Sequence, residues 1–176
     1  REVIEQLRDR LNSTKSGSLF GLEVAVRNAE KSSGRESVPD VIDSWVYDVV
    51  RAGLVPKAEA DAIAGSTFLQ MGEVNAAIES LDRAYRDDPD QLRRYVKVLL
   101  IAERLDKAAD LTAEHYRSHR DVNSARMLVA VLTKRGDQEL SAEHQALIDD
   151  AIREHGKDVP FLEALATLRL NQEELD

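Results

Sequence analysis

The run Asp61–Asp90, DAIAGSTFLQMGEVNAAIESLDRAYRDDPD, reads as two amphipathic helices joined at Gly72 and closed by Pro89. Its skeleton then recurs downstream at a fixed step. Gly72 and Gly136 lie 64 residues apart, two steps of 32. The step of 32 also connects Ala64, Val96 and Leu128, and Phe68, Leu100 and Leu132. It connects Ala77, Ala109 and Ser141, and finally Pro89 with Asp121. Apolar side chains at the Ala64 and Phe68 sets place an apolar face on the first helix of each pair. Small ones at the third mark where the second helix approaches. A two-helix unit of this size cannot bury its apolar face alone, so a repeated unit implies stacking on its neighbours. The expected fold is all-α.

Composition agrees. Hydrophobic residues make up 43% of the 176, enough for a buried interior, and aromatics only 5%, which suits close helix packing better than a β fold. The net charge of −9, concentrated after Pro56, weighs against nonspecific binding to nucleic acid or anionic membranes. The absence of cysteine excludes disulfides, thiolate metal sites and cysteine nucleophiles, and leaves the compartment open. No window approaches the roughly 20 apolar residues that cross a bilayer, so direct membrane insertion is not expected.

The first 56 residues are helical but less regular. Val3, Ile4, Leu7 and Leu11 form a short apolar stripe, Ser13–Ser18 (STKSGS) reads as a linker or cap, and a helix is expected over Leu19–Lys31. After a break at Ser32–Ser37, Pro39 suits the first turn of a helix that carries Ile42, Trp45, Val46, Val49 and Val50. Gly53 ends that helix and Pro56 opens the next. Trp45, among aliphatic neighbours, reads as core rather than as a binding hot spot.

The strongest copy resembles the tetratricopeptide repeat (TPR) family at Gly65, Phe68, Gly72, Ala77, Ala84 and Pro89, with Ala64 and Leu81 at neighbouring core positions. The family repeat is about 34 residues, slightly longer than the step found here. Later copies depart from the pattern: Lys97 and Val129 replace Gly65, and Tyr116 and Ile148 replace Ala84. The second helix of the third copy, Glu139–His155, reads as longer than its counterparts. Val159–Asn171 reads as the first helix of a fourth unit, with Phe161, Ala164, Leu165 and Leu168 facing inward. The resemblance covers residues 57–176 and implies a right-handed superhelical stack of antiparallel hairpins, an α-solenoid. Residues 1–56 would be an irregular helical segment packed on that array. Both ends read as cut from a longer polypeptide, and a last helix without its hairpin partner is expected to self-associate through Phe161, Leu165 and Leu168.

No constellation points to catalysis. His115 and His119 share a helix face, but HExxH is absent and no third ligand is evident, so a solvated helix end is the plainer reading. His144 and His155 are read the same way. The pairs Asp87–Asp88 and Asp149–Asp150 read as solvated surface, and no phosphate loop, GxSxG or nucleophile–base set is present. Arg93, Arg94 and Lys97 form too short a basic cluster for nucleic acid. No catalytic residue, metal site or cofactor is assigned.

In TPR proteins the first helix of each hairpin lines a concave groove. The resemblance implies a partner-binding groove here from Ile63, Ser66, Arg94 and Tyr95, continued by Val98, Arg126, Met127 and Ala130. Arg94 and Arg126, expected to be exposed, would favour an acidic peptide or helix with an apolar anchor near Tyr95. The carboxylate clamp of chaperone-binding TPR domains is missing: Ala62, Ser66, Tyr95, Asn123 and Met127 occupy its positions. The expected function is a non-catalytic protein–protein interaction scaffold within a larger protein. The alternatives are a regulatory or substrate-docking segment of a large enzyme, or a strip covered by another part of the full-length chain.

Overall fold

A computed structural model describes residues 15–136 and 140–173. Among these residues there are nine α-helices and no strand: α1 Lys15–Ser32, α2 Val38–Arg51, α3 Lys57–Gln70, α4 Val74–Asp87, α5 Leu92–Ile101, α6 Leu105–His119, α7 Val122–Arg135, α8 Ala142–His155 and α9 Val159–Glu173. Short 3-10 turns precede α2 and α5. The stripe Val3–Leu11 lies outside the described residues. The expected linker at Ser13–Ser18 is corrected from its third residue onward, because α1 already begins at Lys15.

The chain forms two compact units, residues 1–95 and 96–176. In the first, α1 packs on α2, α2 on α3, and α3 most extensively on α4. Val38 and Ile42 are fully buried on α2, while Val49, Val55 and Ala60 form a small cluster covered by Trp45, Val46, Leu54 and Ile63. Trp45 is therefore part of the packing, half-buried against that cluster. The α3–α4 hairpin closes where Gly72 takes φ 79°. The Gly72 amide bonds to Leu69 O at 3.0 Å and the Glu73 amide to Phe68 O at 2.9 Å, the paired bonds of a Schellman turn. Asp61, nearly buried in α3, receives Arg83 Nε at 3.1 Å from α4 and Lys57 Nζ at 3.0 Å from its own helix. A carboxylate taken out of water needs such partners, and these pin the register of the hairpin.

In the second unit α7 is the central helix, packed on α6, α8 and α9, with Ala125, Leu128, Val129, Val131 and Leu132 buried. Asp121 caps it, Oδ1 accepting from the amides of Asn123 at 2.8 Å and Ser124 at 3.0 Å. Burial opposes ionisation of Asp121, but the Ser124 hydroxyl and these amides outweigh it and hold the carboxyl below its usual range. Two expectations for the third copy are corrected. The helix begins at Ala142 and runs 14 residues, the same length as α4, so it is not extended. Ser141 is not a small core residue but its exposed N-cap, Oγ accepting from the His144 amide at 3.2 Å.

The repeat positions divide in the same way. Ala64, Val96 and Leu128 are buried, as are Ala84, Tyr116 and Ile148. Gly65 and Val129 are buried but Lys97 is exposed.

Candidate functional site

In the first unit a cleft of about 570 Å³ opens between α1 and α3, with Arg94 of α5 at its edge. Its apolar lining is Leu19, Leu22 and Val26 from α1, with Ile63 and Met71 from α3 and its end. Leu22 and Val26 are themselves buried, so they form a floor, while Ser66 and Gln70 are exposed on the wall. Ser66 Oγ and Thr67 Oγ1 donate to the carbonyls of Ala62 and Ile63, at 2.9 and 3.0 Å. Their donors are thus used within α3, and lone pairs are what they present outward. Glu23, Arg27 and Glu30 are the charged side chains that α1 brings to the cleft.

Three of the groove residues expected from the sequence, Ile63, Ser66 and Arg94, line this cleft together. The contribution of α1 was not anticipated, although Leu19, Leu22 and Val26 recur at i, i+3 and i+7, the spacing of one helix face.

Arg94 also borders a second recess of about 630 Å³, lined by Lys57, Glu59, Asp87, Asp88 and Gln91. Most of that charge is satisfied locally. Lys57 Nζ meets Asp87 at 2.7 Å as well as Asp61, and these hydrogen bonds, Asp87 first, raise its pKa. The Gln91 amide, then the Asp90 amide, holds Asp88 below the usual carboxylate range. The Arg94 guanidinium is exposed, donates to Gln91 Oε1 at 3.2 Å and forms no ion pair with the described residues.

Tyr95 and Val98 were expected at the groove surface, and the structure corrects their exposure: both are buried. Tyr95 lies about 100° around the helix from Arg94. It turns toward α4, with its ring 6.1 Å from that of Tyr85 and its hydroxyl donating to Asp82 Oδ1 at 2.6 Å. Burial, and then Asp82, raise the Tyr95 pKa well above its ordinary value.

In the second unit the expected exposure of Arg126 is also corrected. It is half-buried and engages Asp158, Nη2 meeting both carboxylate oxygens at 2.7 Å. Asp158 Oδ1 also accepts from the Phe161 amide at 2.8 Å, joining α7 to the first turn of α9. Met127 is half-buried and Ala130 exposed on α7. Phe161 and Leu168 are buried and Leu165 half-buried, so they are not the sticky surface expected. The apolar residues that α9 exposes are Val159, Leu162 and Leu170, with Ala166 between them.

The histidines are more varied than a single reading allowed. His144 is buried, with Nδ1 2.9 Å from Ser141 Oγ, and His155 is half-buried, edge-on to Tyr116 and Phe161. Both depart from the solvated helix end expected. Among the described residues, no group of three or more His, Asp or Glu side chains could hold a metal ion, and no helix is long and apolar enough to cross a membrane. No protein-family model, curated protein or solved structure matches the chain.

Proposed function

We propose that the chain is a non-catalytic protein–protein interaction scaffold, a TPR-like array of helix hairpins stacked in a right-handed superhelix. The observation that carries this reading is the cleft between α1 and α3. An apolar floor of Leu22 and Val26, a half-buried Ile63 and an exposed Arg94 match a partner segment with one apolar anchor and one carboxylate. The repeat itself supports the same reading, because stacked hairpins build extended surfaces. Met127 and Ala130 on α7 are a second, separate candidate surface.

Site-specific crosslinking tests the proposal. A photo-crosslinking residue at Ser66 should capture a defined partner that the same residue at Glu79, exposed on α4, does not. Arg94→Glu should weaken capture and leave helicity unchanged. Equal capture from both positions would remove the cleft as the working surface.

A further inference from the structure

Ile4, Leu7 and Leu11 are spaced i, i+3 and i+7, the spacing of Leu19, Leu22 and Val26 on the α1 wall of the cleft. The charges beside the two stripes match as well. Arg1 and Arg8 are seven residues apart, as are Glu23 and Glu30. Glu23 and Glu30 are exposed at the cleft and form no ion pair among the described residues. We propose that residues 1–11 of this chain are the cleft's own occupant, a helix laid antiparallel to α1 that any outside partner must displace.

The cleft walls are helices whose main-chain groups are bonded within them, so they offer no backbone edge to an extended peptide. A helix satisfies its own amides and carbonyls over the apolar floor. Eleven helical residues span about 16 Å, the length of α1 from Leu19 to Glu30. Asn12, Ser13 and Thr14 suit a turn, and a loop of this length joins antiparallel helices. With that turn, Leu11 stands level with Leu19, Leu7 with Leu22 and Ile4 with Val26, each to within about one residue. Arg8 then stands level with Glu23, and Arg1 with Glu30. Arg8 follows Leu7 just as Glu23 follows Leu22, so both lie on the same flank of their stripes. Reversing a helix end for end about an axis in the interface keeps each flank on its own side. The opposite charges therefore meet rather than standing across the seam. The inference rests on the cleft being a helix-binding surface, as the proposed function does.

The chain has no cysteine, so an introduced pair reports on one distance alone. In the full chain, a short bismaleimide should join Arg8→Cys with Glu23→Cys within one molecule. It should do so at least about tenfold faster than for Arg8→Cys with Glu79→Cys on α4. Equal rates for the two pairs overturn the proposal, as do crosslinks that form only between molecules and vanish on dilution. Charge reversal is a second measurement that leaves both apolar stripes intact. Glu23→Arg should lower the thermal midpoint by about 1–3 °C, and Arg8→Glu in the same chain should restore it. Failure of the second substitution to restore it overturns the antiparallel register and with it the proposal. The intramolecular crosslink without capture at Ser66 removes the outside partner and keeps the docked segment. Capture at Ser66 without that crosslink removes the docked segment and keeps the partner.

Discussion

A β-carbon placed on Gly65 would stand 2.7 Å from Leu81 Cγ and 3.2 Å from the Ala77 carbonyl oxygen. The α3–α4 hairpin is therefore closed to contact at this crossing. Gly65→Ala gains about 1 kcal/mol of helix propensity. It also forces the helices apart at an overpacking cost of about 1–3 kcal/mol. Net destabilisation in chemical denaturation is expected, and it should shrink when Leu81→Ala removes the clashing atoms. Strict additivity in that double-mutant cycle would show that the two residues do not constrain each other.

Glu103, the residue that closes α5, adopts φ 56°, with its amide 3.3 Å from Leu100 O and the Arg104 amide 2.8 Å from Leu99 O. This is the turn that Gly72 makes after α3, built here without glycine. A left-handed conformation costs a side-chain-bearing residue roughly 1–2 kcal/mol. Part of that is recovered from the greater chain entropy glycine would lose on folding. Glu103→Gly should accordingly stabilise the chain by about 0.5–1 kcal/mol. A lower thermal midpoint would contradict it.

The Arg126 guanidinium, with the Phe161 amide beside it, holds the Asp158 carboxyl below the usual carboxylate range. A carboxyl whose folded pKa is depressed binds fewer protons folded than unfolded in that window. Its contribution to stability is complete above the unfolded value and disappears as pH falls through the folded one. Between neutrality and the upper edge of the carboxylate range, the stability of Asp158→Asn should run parallel to the parent. Below about pH 4 the two curves should converge, because the parent loses what the variant already lacks. Parallel curves throughout would remove the pair from the acid limb.

Helix α9 buries Phe161 and Leu168, and it leaves Val159, Leu162 and Leu170 exposed on its other side among Glu163 and Thr167. Large apolar side chains grouped on an exposed surface favour association. Concentration-dependent self-association is expected in sedimentation, weakened by Leu162→Glu with Leu170→Glu. The pair Phe161→Glu with Leu168→Glu should instead unfold the second unit, because those side chains are its interior. Strictly monomeric behaviour of the parent at high concentration would remove α9 as a self-association surface.

The helical class and most hairpin ends were legible in the chain because they depend on local chemistry. Periodic apolar residues, and Gly72 and Gly136 at left-handed turns, carry their meaning within a few neighbours. Ala64, Val96 and Leu128 were legible as core for the same reason, since a helix carries its apolar stripe wherever it packs. Outward-facing residues were harder to assign. Arg94 and Tyr95 are adjacent in sequence, yet one is exposed beside a cleft and the other is buried with its hydroxyl on Asp82. Rotation by a single helical position separates those outcomes, and the packing of α4 decides it. Arg126 resembled a free cation until Asp158, 32 residues away, received both its Nε and its Nη2. The cleft itself needs α1, whose sequence carries no trace of the repeat. Local chemistry placed each helix to within about a turn and marked its apolar face, although α1 begins at Lys15 and α8 only at Ala142. Which neighbour covers that face, and which charges remain open, was decided by long-range contacts that a periodicity does not encode.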